Sequence, residues 1–177
     1  LLAFVIYVFT RGYEGPAAGS SPSSSSSSSS SAPTPSASAT TEEPVKYPAP
    51  AGAITVDSFS SPSGNITCSF TADGVSCGIK ESDWADDGYA SCSGSQVGVL
   101  SASKDSAGQS CESAVPGGGN ALAYGAAATK GDYACHSTQD GISCWNTKTG
   151  QSFALARGGW MIGTTGEIGP EKFSWND

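Results

Sequence analysis

Two stretches of this chain, 64–77 and 131–144, carry one pattern: a cysteine, a Thr-x-Asp-Gly turn sequence, a β-branched residue, a serine and a second cysteine. Gly64-Asn65-Ile66-Thr67-Cys68-Ser69-Phe70-Thr71-Ala72-Asp73-Gly74-Val75-Ser76-Cys77 and Gly131-Asp132-Tyr133-Ala134-Cys135-His136-Ser137-Thr138-Gln139-Asp140-Gly141-Ile142-Ser143-Cys144 agree at seven of 14 positions. Asp-Gly is a strong hairpin signal, because glycine reaches positive φ at little steric cost and aspartate tolerates turn geometry. A two-residue loop at Asp73-Gly74 would pair 72 with 75 and leave the cysteines out of register. A four-residue loop over 71–74 pairs 70 with 75 and 68 with 77. Directly opposed residues of a non-hydrogen-bonded antiparallel pair have Cα atoms about 4.5 Å apart, within reach of a disulfide. The same register sets Cys135 opposite Cys144, and Cys92 and Cys111 then pair by exclusion.

Six cysteines without a single C-x-x-C pair argue for disulfides rather than for zinc or a thioredoxin-like redox site. Disulfides persist in oxidising compartments, so the folded part is expected outside the cytoplasm. Of the net charge of −8, a net −7 falls within 53–177, from 13 acidic and six basic side chains. With no basic stripe, that balance excludes nucleic acid as a partner.

The chain begins with nine apolar residues, Leu1 to Phe9, followed by Thr10-Arg11. A spanning helix needs about 20. The run reads as the end of a transmembrane signal-anchor helix over 1–11 whose start precedes Leu1; a cleaved signal peptide of a secreted protein is the alternative. Residues 12–52 are dominated by Gly, Ser, Pro, Ala and Thr, with nine consecutive serines from Ser23 to Ser31. Such a stretch buries too little apolar surface to offset its ordering entropy and reads as a disordered stalk. The folded domain is then expected over 53–177.

Within it, short strand signals at 54–59, 65–70, 75–80, 96–100, 121–124, 132–137, 142–146, 152–157 and 160–162 alternate with Gly, Pro, Asn, Asp or Ser clusters. That pattern predicts an all-β domain, a small sandwich or barrel with the two disulfide-closed hairpins in related positions of one sheet system. Helix is encoded only over 81–87, with Ser82 as N-cap. The sequon Asn65-Ile66-Thr67 leads into the first hairpin, where Asn65 reads as a turn residue rather than a glycan acceptor.

Candidate chemistry is sparse. Asp83, Asp86 and Asp87 form a partial calcium pattern, but an EF-hand register from Asp83 puts Ala85 and Gly94 at ligand positions, so solvated carboxylates on a capped turn are favoured. His136 is the one histidine, it lies in a predicted strand, and its counterpart in the first repeat is Ser69; no G-x-S-x-G elbow accompanies it. The chain is therefore expected not to be an enzyme and to need no cofactor. Tryptophan and tyrosine offer apolar area with a polar handle. Trp84, Tyr89, Trp145 and Trp160 are the candidate binding surface, each weighed against a place in the core. Trp145 directly follows Cys144 and so faces away from the disulfide side of its strand.

The run Phe59-Ser60-Ser61-Pro62-Ser63-Gly64-Asn65-Ile66-Thr67-Cys68 followed by Asp73-Gly74-Val75-Ser76-Cys77 resembles the opening of an uncharacterised domain family from actinobacterial secreted and membrane-anchored proteins. Gly131-Asp132-Tyr133-Ala134-Cys135, Asp140-Gly141-Ile142-Ser143-Cys144-Trp145-Asn146 and the Thr149-Gly150-Gln151-Ser152-Phe153 tail resemble its closing part, with Gln151 where that family leads one to expect histidine. The resemblance covers about 54–162 and implies an exported, disulfide-bonded β-domain with no reaction attached. The expected function is a membrane-tethered extracytoplasmic domain that binds or senses an envelope ligand or protein. Its helix, stalk and domain order is similar to the outer part of bacterial transmembrane Ser/Thr kinases. A stand-alone envelope protein with a structural or interaction role is the alternative, and an envelope hydrolase built on paired acids the third.

Overall fold

The computed structural model describes residues 43–84, 98–110 and 119–176. Among the described residues eleven strands form two sheets. The first sheet is an antiparallel meander of β2 (Ser58–Ser60), β3 (Ile66–Phe70), β4 (Gly74–Ile79), β5 (Val99–Ser103) and β6 (Ala107–Gln109). The second repeats that order with β7 (Ala127–Lys130), β8 (Tyr133–Ser137), β9 (Ile142–Asn146), β10 (Ser152–Ala156) and β11 (Gly159–Gly163). It gains β1 (Ile54–Thr55), which runs parallel to β7. The domain is an all-β sandwich.

Each sheet turns one face to the other, and the middle row of that face holds its disulfide. In the first the row is Phe59, Cys68, Cys77, Leu100 and Gln109; in the second it is Ala128, Cys135, Cys144, Phe153 and Ile162. The cysteine register is as the turn length requires: Phe70 faces Val75, and Cys68–Cys77 and Cys135–Cys144 are bonded across directly opposed positions with Cα atoms 4.1 Å apart. The two hairpins do not share a sheet. They lie one in each and meet at the centre, where Cys77 Sγ and Cys144 Sγ are 3.5 Å apart, in van der Waals contact. Large residues face small ones around them. Phe59 stands where the second sheet has Ala128, and Leu155 where the first has Ala102.

The turns are built alike. Thr71 N–H and Oγ1–H both donate to the Gly74 carbonyl, and Thr138 does the same to Gly141. The two glycines share a purpose besides turn φ, which is positive at Gly141 alone. Gly74 does not adopt positive φ. A Cβ there would lie 2.9 Å from the Ala102 carbonyl oxygen of β5, and one on Gly141 2.8 Å from that of Leu155 on β10. Glycine lets the fourth strand of each meander pass close to the tip.

Several boundaries differ from the sequence reading. The folded part begins before 53: Lys46 and Tyr47 N–H groups donate to the Thr147 carbonyl, so the segment before β1 is a strap on the second sheet rather than the end of a stalk. The 54–59 segment breaks at Val56-Asp57 and gives one strand to each sheet. Residues 121–124 form only an isolated bridge to Ser60, and the strand lies later, at β7. Residues 81–84 are not helical. The rest of that helix, the Cys92–Cys111 pairing and the 1–11 membrane segment lie outside the described residues, among which no helix is long and apolar enough to cross a membrane.

The second sheet is covered on its outer face as well. The strap lies against Trp145, whose Nε1–H donates to the Tyr47 carbonyl at 2.9 Å. The C-terminal tail packs Ile168 and Phe173 on Ala154. The tail is pinned by its Ile168 N–H, which donates to Ser143 Oγ, and by the Glu167 carboxylate, 2.6 Å from His136 Nδ1. Hence β9 and β10 are buried along their whole length, whereas β3 alternates between buried and half-buried positions.

Candidate functional site

The repeats are packed head to tail, so the tip of each hairpin meets the first residue of the other's leading strand. At one end Tyr133, the first residue of β8, is buried and donates its hydroxyl to the Asp73 carbonyl at the tip of the first hairpin, 2.7 Å away. Burial raises the Tyr133 pKa above its ordinary value, because the phenolate would lose its hydration there. Phe70 is buried at the end of β3, beside that tip. This end of the sandwich is closed.

At the other end the equivalent residues are Ile66 and Ser137, both smaller. There a cleft of about 360 Å³ opens between the start of β3, the tip of the second hairpin and the turn after β10. Asn65, Ile66, Tyr124, Gln139, Arg157 and Trp175 line it. Ser137 Oγ is buried with no hydrogen-bond partner among the described residues. A second hollow of about 450 Å³, lined by Lys80 and Glu81, shares Ser63, Asn65 and Arg157 with the cleft and continues it along the surface.

Local structure fixes each wall. Tyr124 sits at the second position of a turn closed by Ala126 N–H to the Ala123 carbonyl, with Gly125 at φ 82° next to it. That is a type II arrangement, which holds the preceding side chain outward. Gly125 N–H anchors the turn to the Ser137 carbonyl at 2.7 Å, and Tyr124 is 45% exposed. Trp175 is stacked on Phe173 at 4.5 Å and donates Nε1–H to the Asp140 carbonyl. Asn65 grips the backbone of Glu81 from both sides: Nδ2–H donates to its carbonyl and Oδ1 accepts from its N–H, both at 2.9 Å. The amide of the sequon is thus a clamp between β3 and the end of β4. Arg157 lies at the mouth, its guanidinium 3.3 Å from Asp83 and 3.7 Å from Glu81.

Of the residues singled out from sequence, Trp145 is fully buried and leaves the binding surface for the core. Trp84 and Trp160 lie together, ring centroids 6.5 Å apart, partly buried against the core; Trp84 Nε1–H donates to the Ala156 carbonyl. Asp83 is held by Arg157, while Tyr89, Asp86 and Asp87 lie outside the described residues. His136 binds Glu167 as an acid orients an imidazole, but the neighbouring hydroxyl, Ser143 Oγ, is buried and accepts the Ile168 N–H, so it serves the tail. Among the described residues the one cluster with metal-ligand spacing is Cys68, Cys77 and Cys144, and all three sulfurs belong to disulfides. Sequence reasoning missed Tyr124, Gln139 and Arg157. The Tyr-Gly turn was the available signal for the first. No protein-family model, curated protein or solved structure matches this chain.

Proposed function

We propose that this chain is an extracytoplasmic binding domain, tethered by its apolar N-terminal segment, that takes its ligand in the cleft at the open end of the sandwich. The observation that carries the reading is the unequal filling of two equivalent ends. Tyr133 and Phe70 fill one; at the other Ile66, in the place of Tyr133, lines a cleft walled by an exposed tyrosine and a tryptophan. The cleft volume falls within the roughly 300–1,000 Å³ usual for small-ligand sites. The buried disulfides support an oxidising compartment, as does the resemblance to exported actinobacterial domains.

Amide and indole NMR spectra of the full chain, recorded with and without a solubilised envelope extract of the source organism, test this reading. Shifts concentrated at Gln139, Arg157 and the Trp175 indole are expected. No change, or change confined to the outer face of the first sheet, overturns it.

A further inference from the structure

The lining chemistry of the cleft narrows the ligand class, an inference that rests on the binding reading above. Anions are poorly served. The one guanidinium at the mouth already faces two carboxylates, and Asp140 on the opposite wall leaves the acids in excess even with Lys80 in the adjoining hollow. A phosphate or polyuronate entering there meets Coulomb repulsion from an acidic domain. A purely apolar ligand fits no better. It would cover the Gln139 side chain without offering it hydrogen bonds, and unpaired buried polar groups are costly. An extended peptide added as a strand needs an open sheet edge. These walls are turns and strand ends: the 123–126 turn, the second hairpin tip and the 156–158 bend.

What remains is a ligand with an apolar face and a rim of neutral hydroxyls. Tyr124 presents an aromatic ring at the lip, and Ser61, Ser63 and Gln139 present donors and acceptors around it. The second hollow extends the cleft past Ser63 and Asn65, which suits a chain longer than one unit. We infer that the open-end cleft binds a neutral oligosaccharide, with one sugar ring stacked on Tyr124 and its hydroxyls bonded by Gln139 and the Ser61–Ser63 loop.

Isothermal titration of the full 177-residue chain with neutral tetrasaccharides of glucose, mannose, galactose and N-acetylglucosamine, and with tetragalacturonate as the anionic comparator, tests the inference. At least one neutral tetrasaccharide is expected to bind with a Kd of about 1 mM or tighter. Tyr124→Ala should weaken it at least about tenfold, Tyr124→Trp should restore it, and tetragalacturonate should not bind. Because Tyr124 is exposed on a turn, the alanine variant keeps the fold, checked by an unchanged melting curve. No binding by any neutral tetrasaccharide, equal affinity in Tyr124→Ala, or tighter binding of the galacturonate each overturns the inference. If envelope extract still shifts the cleft resonances after periodate has destroyed its sugars, the saccharide class falls and the cleft reading stands. If the extract shifts nothing, both fall.

Discussion

Gly74 and Gly141 stand at the same repeat position for the same reason, the passage of a neighbouring strand's carbonyl within 3 Å of where a Cβ would be. Because the obstacle is backbone, it cannot swing aside as a side chain could. Gly74→Ala is expected to lose about 1–3 kcal/mol, the usual cost of overpacking. Gly141→Ala should lose more, since its φ of 153° adds backbone strain for an L-residue. Urea midpoints at unchanged m-value measure both; a neutral Gly74→Ala would mean that β5 yields at the tip. Tyr133 supplies a second residue-scale test. Removing its hydroxyl with Phe should cost about 0.5–1.5 kcal/mol at neutral pH, the usual net worth of one hydrogen bond. Its pKa is raised in the folded state, so the folded chain holds the proton longer than the unfolded chain does. That contribution to stability is complete below the unfolded value of about 10 and is lost as pH rises towards the folded value. Wild type should therefore lose stability more steeply than Tyr133→Phe above about pH 10, as read from urea midpoints at successive alkaline pH values. Parallel alkaline slopes would show that Tyr133 titrates alike in both states.

At the scale of the element, the hairpins were legible because strand side chains alternate with period two and the turn length sets the register. Once Thr71 and Gly74 close the tip, only one alignment brings Cys68 and Cys77 to the same face. Their distribution between two sheets was not legible, since a hairpin's own pattern is the same whether its twin lies beside it or across from it. The strands β6 and β7 escaped because Ala107–Gln109 and Ala127–Lys130 carry no aromatic residue and one β-branched residue between them. Neighbouring strands, not propensity, hold them in place. The strap over 44–52 read as stalk on its Pro and Ala content, yet Tyr47 covers Trp145 and its backbone finds partners at Thr147. Tyr124 was passed over because its Tyr-Gly turn signals an outward-facing ring but not the cleft that ring borders. The paired disulfides have their own consequence. All four sulfurs are 0% exposed, so a thiol reagent reaches them only through unfolding. Both bonds should survive millimolar dithiothreitol in native buffer and be reduced together above the urea midpoint, as mass spectrometry after alkylation would show. Selective native reduction of Cys68–Cys77 would instead mean that the first sheet opens on its own.

The molecule as a whole is two meanders of one design closed on each other, and its candidate site is the place where the copies stop matching. With identical ends it would be filled twice; Tyr133 reaches the opposing hairpin tip at one, while Ile66 stands in its place beside the cleft at the other. The duplication also suggests how to close that mouth. Ile66 is the positional equivalent of Tyr133, and Ile66→Tyr would send a phenol ring towards the tip of the second hairpin, as Tyr133 reaches towards the first. The cleft volume of about 360 Å³ gives the ring room without overpacking, and its apolar face would leave water. The variant should therefore fold with a melting midpoint within about 4 °C of wild type, the shift expected for roughly 1 kcal/mol in a domain of this size. Binding at the cleft should fall below detection in the same protein. The pairing of these two results is what tests the duplication argument. A stable variant that still binds would put the ligand elsewhere on the sandwich. A variant that loses more than about 3 kcal/mol would mean that the open end has no room for the residue that closes its twin, and that the two ends differ in backbone as well as in side chains.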